Sequence, residues 1–158
     1  MRIGQGVDVH AFDADGSATS IRLAGVEVPH TRALIAHSDG DVVTHALMDA
    51  LLGAAALGDI GQHFSDRDPQ YAGADSVALL AKVVSMVSDA GFTVSNVDLT
   101  VIAEQPKLAK HTVAMRQVLA QALGIQMNQV SVKATTTEKL GFVGREEGVA
   151  AMAVVMLQ

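Results

Sequence analysis

The sequence predicts an α/β sandwich, a mixed β-sheet with helices packed on one of its faces. Two observations support this fold class. Five segments have the alternating or continuous apolar pattern of strands, and three have the apolar spacing of amphipathic helices. In chain order they read β-β-α-α-β-α-β-β. Because the helices fall between strands, they must pack on the sheet that those strands form.

Local signals set the bounds of each element. The five predicted strands cover residues 2–12, 21–29, 93–104, 130–137 and 148–158. The three predicted helices cover residues 42–57, 77–90 and 107–123. Gly58 and Gly124 are expected to end the first and third helices, and Asp75 or Ser76 to cap the start of the second.

The composition indicates a single aliphatic core. Hydrophobic residues make up 49% of the 158 positions, yet only 4 Phe and 1 Tyr are present. A chain of this length is most simply one domain, residues 1–158. Charged residues interrupt every apolar run before it reaches the length of a membrane span. The surplus of apolar side chains therefore predicts contacts between subunits and a homo-oligomer.

Charge and cysteine content narrow the choice of partners. A net charge of −6 without a cluster of Lys or Arg argues against nucleic acid and against an anionic membrane. The chain has no cysteine, so any metal must be bound by His, Asp or Glu. The chain also starts in strand-like sequence without a charged and then apolar leader, which predicts a cytoplasmic protein.

The first group of residues with chemical potential is Asp8-Val9-His10. Positions two apart on a strand point to the same face, so this carboxylate and imidazole lie side by side. Catalytic zinc sites use three protein ligands and keep one position open, and His45 is the natural third ligand. The alternative is that Asp8 and His10 only hydrogen-bond each other on a solvent-exposed face.

The second group is the stretch HSDGDVVTH, residues 37–45, where a helix begins. Asp39-Gly40-Asp41 has the composition of a tight turn and an N-cap, which explains the aspartates without any function. The helix start also suits an anion such as phosphate, to which His37 could donate. Asp49 lies one turn beyond His45 and could orient it, or could simply be solvated.

The third group is ATTTEKLGF, residues 134–142. Consecutive threonines are also explained by β-propensity alone. Next to Glu138 and Gly141, however, their hydroxyls and amides could hold a diphosphate with its Mg²⁺. A weaker signal is the loop of residues 59–68, whose carboxylates could accept hydrogen bonds from a polyol.

Six motifs occur in order along the chain. They are D-V-H at 8–10, A-H-S-D-G-D-x-x-x-H at 36–45, L-L-G-A-A-A-L-G-D-I-G at 51–61, D-P at 68–69, V-K-A-T-T-T-E-K-L-G-F at 132–142 and G-R-x-E-G at 144–148. Over its whole length the chain closely resembles the 2-C-methyl-D-erythritol 2,4-cyclodiphosphate synthase family of the non-mevalonate isoprenoid pathway. Composition and periodicity alone indicate only an oligomeric α/β protein with a candidate metal site.

The resemblance implies a homotrimer with active sites between neighbouring subunits and an apolar cavity along the three-fold axis, where an isoprenoid could bind. It implies Zn²⁺, or another divalent ion in its place, on Asp8, His10 and His45. It also implies Mg²⁺ or Mn²⁺ on Glu138 across the diphosphate, and assistance to the transition state by His37 and Thr136. Arg145 and Glu147 match a charged ring at one end of the axial cavity.

The same resemblance implies a set of substrate contacts. Ser38, with His37, matches substrate-contacting positions. Near the methylerythritol the contacts are Asp59, Ile60, Gly61, Phe64, Ser65, Asp66, Arg67 and Asp68. On the cytidine-diphosphate side they are Ala103, Glu104, Gln105, Pro106, Lys107, Leu108, Ala109, Thr135, Thr137 and Glu138, with Phe142 and Arg145 as further contacts. Gln5 and Val7 depart from the residues frequent in the family, His and a bulkier residue, which concerns the shape of the cavity and not the chemistry.

The implied reaction converts 4-diphosphocytidyl-2-C-methyl-D-erythritol 2-phosphate, a small nucleotide–polyol, into the cyclic diphosphate and CMP by intramolecular phosphoryl transfer. This makes the chain a phosphorus–oxygen lyase. Two alternatives remain open at this point. One is a metal-dependent phosphohydrolase that uses metal-bound water on a nucleoside diphosphate, and the other is a trimeric protein that binds a nucleotide or isoprenoid without turnover.

Overall fold

A computed structural model describes residues 1–65 and 68–158. The strands are β1 (Arg2–Ala11), β2 (Ser20–Leu23), β3 (Val26–Pro29), β4 (Val94–Ile102), β5 (Val130–Thr135) and β6 (Gly148–Leu157). The helices are α1 (Val42–Ala55), α2 (Ile60–His63), α3 (Ser76–Asp89), α4 (Thr112–Leu123) and α5 (Gly141–Gly144). Single turns of 3₁₀-helix lie at Pro69–Tyr71 and Met127–Gln129.

Four strands form a mixed sheet in the order β1-β6-β4-β5. The β1–β6 and β6–β4 pairs are antiparallel, and β4–β5 is parallel, with α4 as the crossover between its two strands. Strands β2 and β3 form a separate hairpin. The predicted fold class is confirmed, since the helices cover one face of a mixed sheet. Among the described residues, no helix is long and apolar enough to span a membrane.

Two glycines let the central helix α1 lie directly on β1. A Cβ atom at Gly4 would lie 1.9 Å from the carbonyl oxygen of Ala50, and one at Gly6 would lie 2.0 Å from that of Ala46. Because alternate residues of a strand share a face, Asp8 and His10 also point toward α1. This close approach of two backbones sets the position of His45 relative to the strand.

The other face of the sheet carries apolar side chains that no described element covers. We call this the open sheet face, and the large apolar residues exposed on it are Ile3, Val7, Val9, Met152 and Val154. Val7 is paired with Met152 and is 49% exposed, and Met152 is 43% exposed on a central strand. Central strands of an isolated domain are seldom this apolar on an exposed side, so the face has the character of an interface.

One predicted strand proves to be two. Residues 21–29 fold back as a hairpin because Ala24 (φ 51°) and Gly25 (φ 73°) both take left-handed conformations, as in a type I′ turn. Ala-Gly is a weak sequence signal for such a turn. Its amides donate to the Asp41 carboxylate at 2.7 and 2.6 Å, so a residue 16 or more positions away stabilises it.

The helix ends also differ from the predicted ones. Helix α1 ends at Ala55 with Ala56 in a left-handed conformation (φ 59°), so Gly58 is not its cap. Helix α4 begins at Thr112 and not at residue 107. The preceding loop instead buries Pro106 and Leu108. An additional helical turn would not bury both residues. Gly124 ends α4 and Asp75 caps α3, as predicted.

Candidate metal centre and active site

The structure brings Asp8, His10 and His45 together, as the sequence predicts. Asp8 Oδ2 lies 3.1 Å from His10 Nε2 and 3.0 Å from His45 Nδ1. The two ring nitrogens are 3.1 Å apart, so three ligand atoms form a nearly equilateral triangle. Within the described residues, these three side chains form the only such group of potential metal ligands. His45 is 7% exposed, and the other two are half-buried.

The triangle fits a tetrahedral Zn²⁺ ion. Ligand atoms about 2.0–2.1 Å from a tetrahedral metal are separated from each other by about 3.3 Å, close to the spacing observed here. Burial alone would raise the pKa of Asp8. Hydrogen bonds and positive charge from His10 and His45 outweigh that effect, so the pKa of this carboxyl lies well below its usual range. The Asp8 carboxylate is thus ionised, and the cluster supplies two nitrogens and one oxygen, with a fourth position open.

Behind the cluster, the second nitrogen of His45 faces two serines. Nε2 lies 2.9 Å from Ser76 Oγ and 3.1 Å from Ser38 Oγ. Of the two roles considered for Asp49, orienting His45 or being solvated, the first is not observed, because the Asp49 carboxylate accepts from the Ile60 amide at 2.8 Å. Ser76 was missed as a partner of His45. Its position in the sequence, beside a helix cap and 31 residues from His45, gives no signal for this contact.

The aspartates of the 37–45 stretch have the structural role predicted for them. Asp41 is fully buried and caps α1, where it accepts from the amide and the hydroxyl of Thr44 at 3.0 and 2.8 Å. Asp39 accepts from the Asp41 amide at 3.2 Å and from the Ser76 amide at 3.0 Å. Together they fix the start of α1, and with it the position of His45.

A cavity of about 410 Å³ opens beside the cluster of Asp8, His10 and His45. Its polar lining residues are Asp8, His10, His37, Ser38 and His45. The other lining residues are largely apolar: Ala36, Met48, Ile60, Gly61, Phe64, Tyr71 and Leu79. A ligand that fits this lining carries anionic or hydroxyl groups together with an aliphatic portion.

Several predicted contact residues lie on this cavity wall, and others have capping roles nearby. Asp59 caps α2 by accepting from the Gln62 amide, and Asp68 caps the Pro69–Tyr71 turn by accepting from the Gln70 amide, each at 3.0 Å. Ser65 lies next to Phe64 and is half-buried. Tyr71 lines the cavity and was not predicted. The predicted contacts Asp66 and Arg67 lie outside the described residues.

A second group of polar residues forms a turn after β5. Glu138 (φ 52°) and Lys139 (φ 65°) are consecutive residues in the left-handed region, which is unfavourable for side chains other than glycine. The Glu104 carboxylate holds this turn. Its Oε1 accepts from the amides of Thr137 and Lys139, each at 3.1 Å, while the Thr137 hydroxyl donates to the Leu140 carbonyl oxygen at 2.7 Å. Thr136 in turn donates to Glu138 Oε1 at 2.8 Å.

The hydrogen bond from the Lys139 amide is the main reason that the pKa of Glu104 is lowered. The other residues predicted on the nucleotide side surround this turn. Ala103, Pro106 and Leu108 are buried, Glu104 is half-buried, and Gln105, Lys107, Ala109 and Thr135 are exposed. Phe142 is 41% exposed on α5, and Arg145 Nε donates to Glu147 Oε1 at 2.8 Å.

The cluster of Asp8, His10 and His45 and the polar turn after β5 do not share a cavity within one chain. Among the described residues, none from 103–109 or 135–145 lines the cavity at the metal cluster. One chain therefore presents a metal-binding cavity and, separately, a turn rich in hydroxyls, amides and a carboxylate.

Fold and site together define a class: α/β proteins with a candidate three-ligand metal site beside a cavity. The chain belongs to the YgbB family, whose model matches residues 1–158. The resemblance that the motifs indicate is thus confirmed.

Individual relatives agree with this family. The 2-C-methyl-D-erythritol 2,4-cyclodiphosphate synthases of Acinetobacter baumannii and Pseudomonas paraeruginosa are each 59% identical over 157 residues. Those matches cover 99% of this chain and 96% and 98% of the relatives.

Solved structures agree as well. The bifunctional IspDF from Campylobacter jejuni matches with a TM-score of 0.93 and 45% identity, over 99% of this chain and 42% of that protein. A CDP complex of IspF from Plasmodium falciparum matches with a TM-score of 0.84 and 30% identity, over 99% of this chain and 94% of that one.

Proposed function

We propose that this chain converts 4-diphosphocytidyl-2-C-methyl-D-erythritol 2-phosphate into 2-C-methyl-D-erythritol 2,4-cyclodiphosphate and CMP. The observation that carries the proposal is the triangle of Asp8, His10 and His45 at a cavity lined by both polar and apolar residues. Relatives 59% identical over nearly the full chain are synthases of this cyclic product. The reaction is that of a phosphorus–oxygen lyase in isoprenoid precursor synthesis.

The reaction breaks one P–O bond and forms another. An oxygen of the 2-phosphate attacks the β-phosphorus, and the bond from that phosphorus to the bridging oxygen breaks, so CMP leaves with the bridging oxygen. The attacking phosphate is already ionised at neutral pH and needs no general base. Since both groups belong to one molecule, the protein's task is to hold them in line, which can contribute about 7–11 kcal/mol.

The residues divide this task between them. Asp8, His10 and His45 would hold Zn²⁺, and Glu138 would hold Mg²⁺ or Mn²⁺ together with the diphosphate. These cations, when bound, are Lewis acids that neutralise charge on the phosphates. His37 lines the cavity, where its ring can donate to phosphate.

The apolar lining residues of the cavity have a different role. Ile60, Phe64 and Tyr71 exclude water from the reacting phosphates and receive the carbon skeleton of the methylerythritol. Ser38, one of the polar lining residues, offers a hydroxyl to the substrate. Thr136 offers its hydroxyl at the nucleotide end, where the Glu138 carboxylate orients it.

We further propose that the active site is completed in a homotrimer. The cavity and the Glu104-held turn are separate within one chain, so a nucleotide bound at the turn of one subunit meets the metal centre of its neighbour. The open sheet face supplies the apolar contact surface for this assembly.

A charge on the open sheet face is expected to dissociate the trimer. Met152→Lys puts an ammonium on the central strand β6, between Val7 and Thr100 of the neighbouring strands. Sedimentation velocity should show wild type as a trimer and Met152→Lys as a monomer with strongly reduced turnover. Val113→Lys is the control, because Val113 is 59% exposed on α4, away from this face. A wild-type monomer, or equal dissociation of both variants, would contradict the proposed interface.

Loss of the Glu104 carboxylate is expected to disorder the turn that bears Thr136 and Glu138. Glu104→Ala removes two amide hydrogen bonds from a turn with two residues in strained conformations. Because this turn positions Thr136 and Glu138, turnover should fall by roughly tenfold to a hundredfold, with a raised Mg²⁺ requirement and unchanged zinc affinity. Asp15→Ala, in an exposed loop, is the matched carboxylate control. Unchanged Mg²⁺ dependence in Glu104→Ala would refute the role.

This turn also has a defined pH dependence. The pKa of Glu104 is lower in the folded chain than in the unfolded one, so its stabilisation is fully present above the unfolded value of about 4.3. The stabilisation is lost as the pH falls through the lower folded value. Protonation of Glu104 should therefore not change turnover between about pH 5 and pH 8.

The proposed function is tested by ³¹P NMR of the purified protein with the substrate, Zn²⁺ and Mg²⁺. Cyclic diphosphate signals that appear together with CMP are expected. Open-chain phosphate products would instead indicate a phosphohydrolase. An unchanged spectrum with the fold intact and the metal bound would indicate a binding protein.

A further inference from the structure

The two ring nitrogens of His45 face different surroundings. Nδ1 points to Asp8 and His10 and is the ligand atom of the metal cluster. A neutral imidazole that ligates a metal through Nδ1 carries its hydrogen on Nε2. That hydrogen needs an acceptor, because the His45 side chain is almost fully buried.

Ser76 is an obligate acceptor for this hydrogen. Its own hydroxyl hydrogen is donated to Asp39 Oδ1, so only lone pairs of Ser76 Oγ face His45 Nε2, 2.9 Å away. Asp39 is itself fixed, since it accepts from the amides of Ser76 and Asp41 and lies 3.5 Å from Arg22 Nη1. Ser76 is fully buried, so water does not compete for the same hydrogen bond.

The hydroxyl of Ser38, unlike that of Ser76, can act as a donor or as an acceptor. Its Oγ lies 3.1 Å from the same nitrogen and receives only a long contact of 3.4 Å from the Gly40 amide. No carboxylate fixes its hydroxyl hydrogen in the described part of the chain. Ser38 can therefore accept from Nε2 or donate to it. Donation from Ser38 would require an Nε2 without a hydrogen. The ring hydrogen would then lie on Nδ1, where it would prevent metal binding.

We propose that Asp39 and Ser76 act as a positioning pair that keeps His45 in the tautomer able to bind metal. The chain Asp39–Ser76–His45 holds the hydrogen on Nε2, fixes the ring plane and makes Nδ1 a better donor. Ser38 is then left to the substrate. The inference rests on the proposed function only in that the cluster of Asp8, His10 and His45 binds a metal.

The test compares the zinc affinities of three folded variants by competition with a chromophoric chelator, without substrate. Ser76→Ala is expected to weaken zinc binding by about 10- to 100-fold, the usual effect of losing an outer-shell partner of a ligating histidine. Ser38→Ala should bind zinc nearly as tightly as wild type, and Ser76→Thr, which keeps the hydroxyl, should restore most of the affinity. Wild-type affinity in Ser76→Ala, or an equal loss in Ser38→Ala, would overturn the proposal.

A second measurement needs no variant. In the zinc-loaded wild-type protein, the Nε2 hydrogen of His45 should give a slowly exchanging low-field NMR signal with a cross-peak to the Ser76 side chain. A cross-peak to Ser38 alone would overturn the assignment. Because neither readout involves turnover, a protein that binds zinc in this way but produces no cyclic diphosphate would refute the proposed function and leave this inference standing.

Discussion

The His10→Ala variant is expected to lose its metal and its turnover while keeping its fold. His10 supplies one corner of a ligand triangle whose edges are 3.0–3.1 Å, and no other described side chain is placed to replace it. A Lewis acid at a phosphoryl centre contributes several kcal/mol, and about 4 kcal/mol corresponds to roughly a thousandfold in rate. His10 lies at the end of an edge strand, so its loss leaves the core intact.

Three readouts separate this prediction from simple unfolding. Bound zinc is measured by atomic emission, CMP release by chromatography, and the fold by circular dichroism. His30→Ala is the matched control, because that imidazole stacks on Phe12 with ring centroids 4.4 Å apart and does not reach the metal cluster. Full turnover in His10→Ala would disprove the assignment. Global unfolding of the variant would instead point to a structural metal.

The Gly6→Ala variant is expected to be strongly destabilised. An added Cβ would lie 2.0 Å from the Ala46 carbonyl oxygen and 2.8 Å from the Ala50 amide, both of them backbone atoms that cannot rotate away. Overpacking of this kind costs about 1–3 kcal/mol or more, with each kcal/mol lowering Tm by roughly 2–4 °C. Relief of the clash moves α1 away from β1 and thus His45 away from Asp8 and His10. Zinc affinity should fall together with stability.

Gly53→Ala is the control on the same helix. Gly53 lies within α1, is exposed, and would place its Cβ in open space. Because alanine is the better helix former, this change should raise stability by about 0.5–1 kcal/mol and leave zinc binding unchanged. Thermal unfolding and zinc titration of both variants make the comparison. Similar stability of Gly6→Ala and wild type would contradict the described packing of α1 on β1.

The alternation of residues in β1 and the helix start at α1 predicted where the three candidate metal ligands lie within their own elements. The two-residue spacing of Asp8 and His10 places both on one face of β1, and His45 follows the N-cap Asp41 in the first turn of α1. The predicted meeting of the three side chains needed one further assumption, that α1 packs on β1. The sequence shows Gly4 and Gly6 on the correct face for this, although their meaning emerges only from the backbone contacts they allow.

Contacts between distant segments were beyond sequence reasoning. Glu104 holds the turn at Thr137 from 33 residues away, and Ser76 reaches His45 across 31. Neither pairing leaves a periodic or spacing signal, because each depends on how loops from different elements meet at one end of the sheet. Helical spacing left open whether Asp49 orients His45 or is solvated, and the structure shows its carboxylate accepting from the Ile60 amide. The strand order β1-β6-β4-β5 was likewise not predicted.

The most direct test of the central claim is to run the reaction in water enriched in oxygen-18 and to measure the isotope content of both products by mass spectrometry and ³¹P NMR. Attack by the substrate's own 2-phosphate takes no oxygen from solvent, so we expect unlabelled CMP and unlabelled cyclic diphosphate in equal amounts. One solvent oxygen incorporated for each CMP released would show attack by water, and would contradict the proposal that this chain is a cyclising synthase.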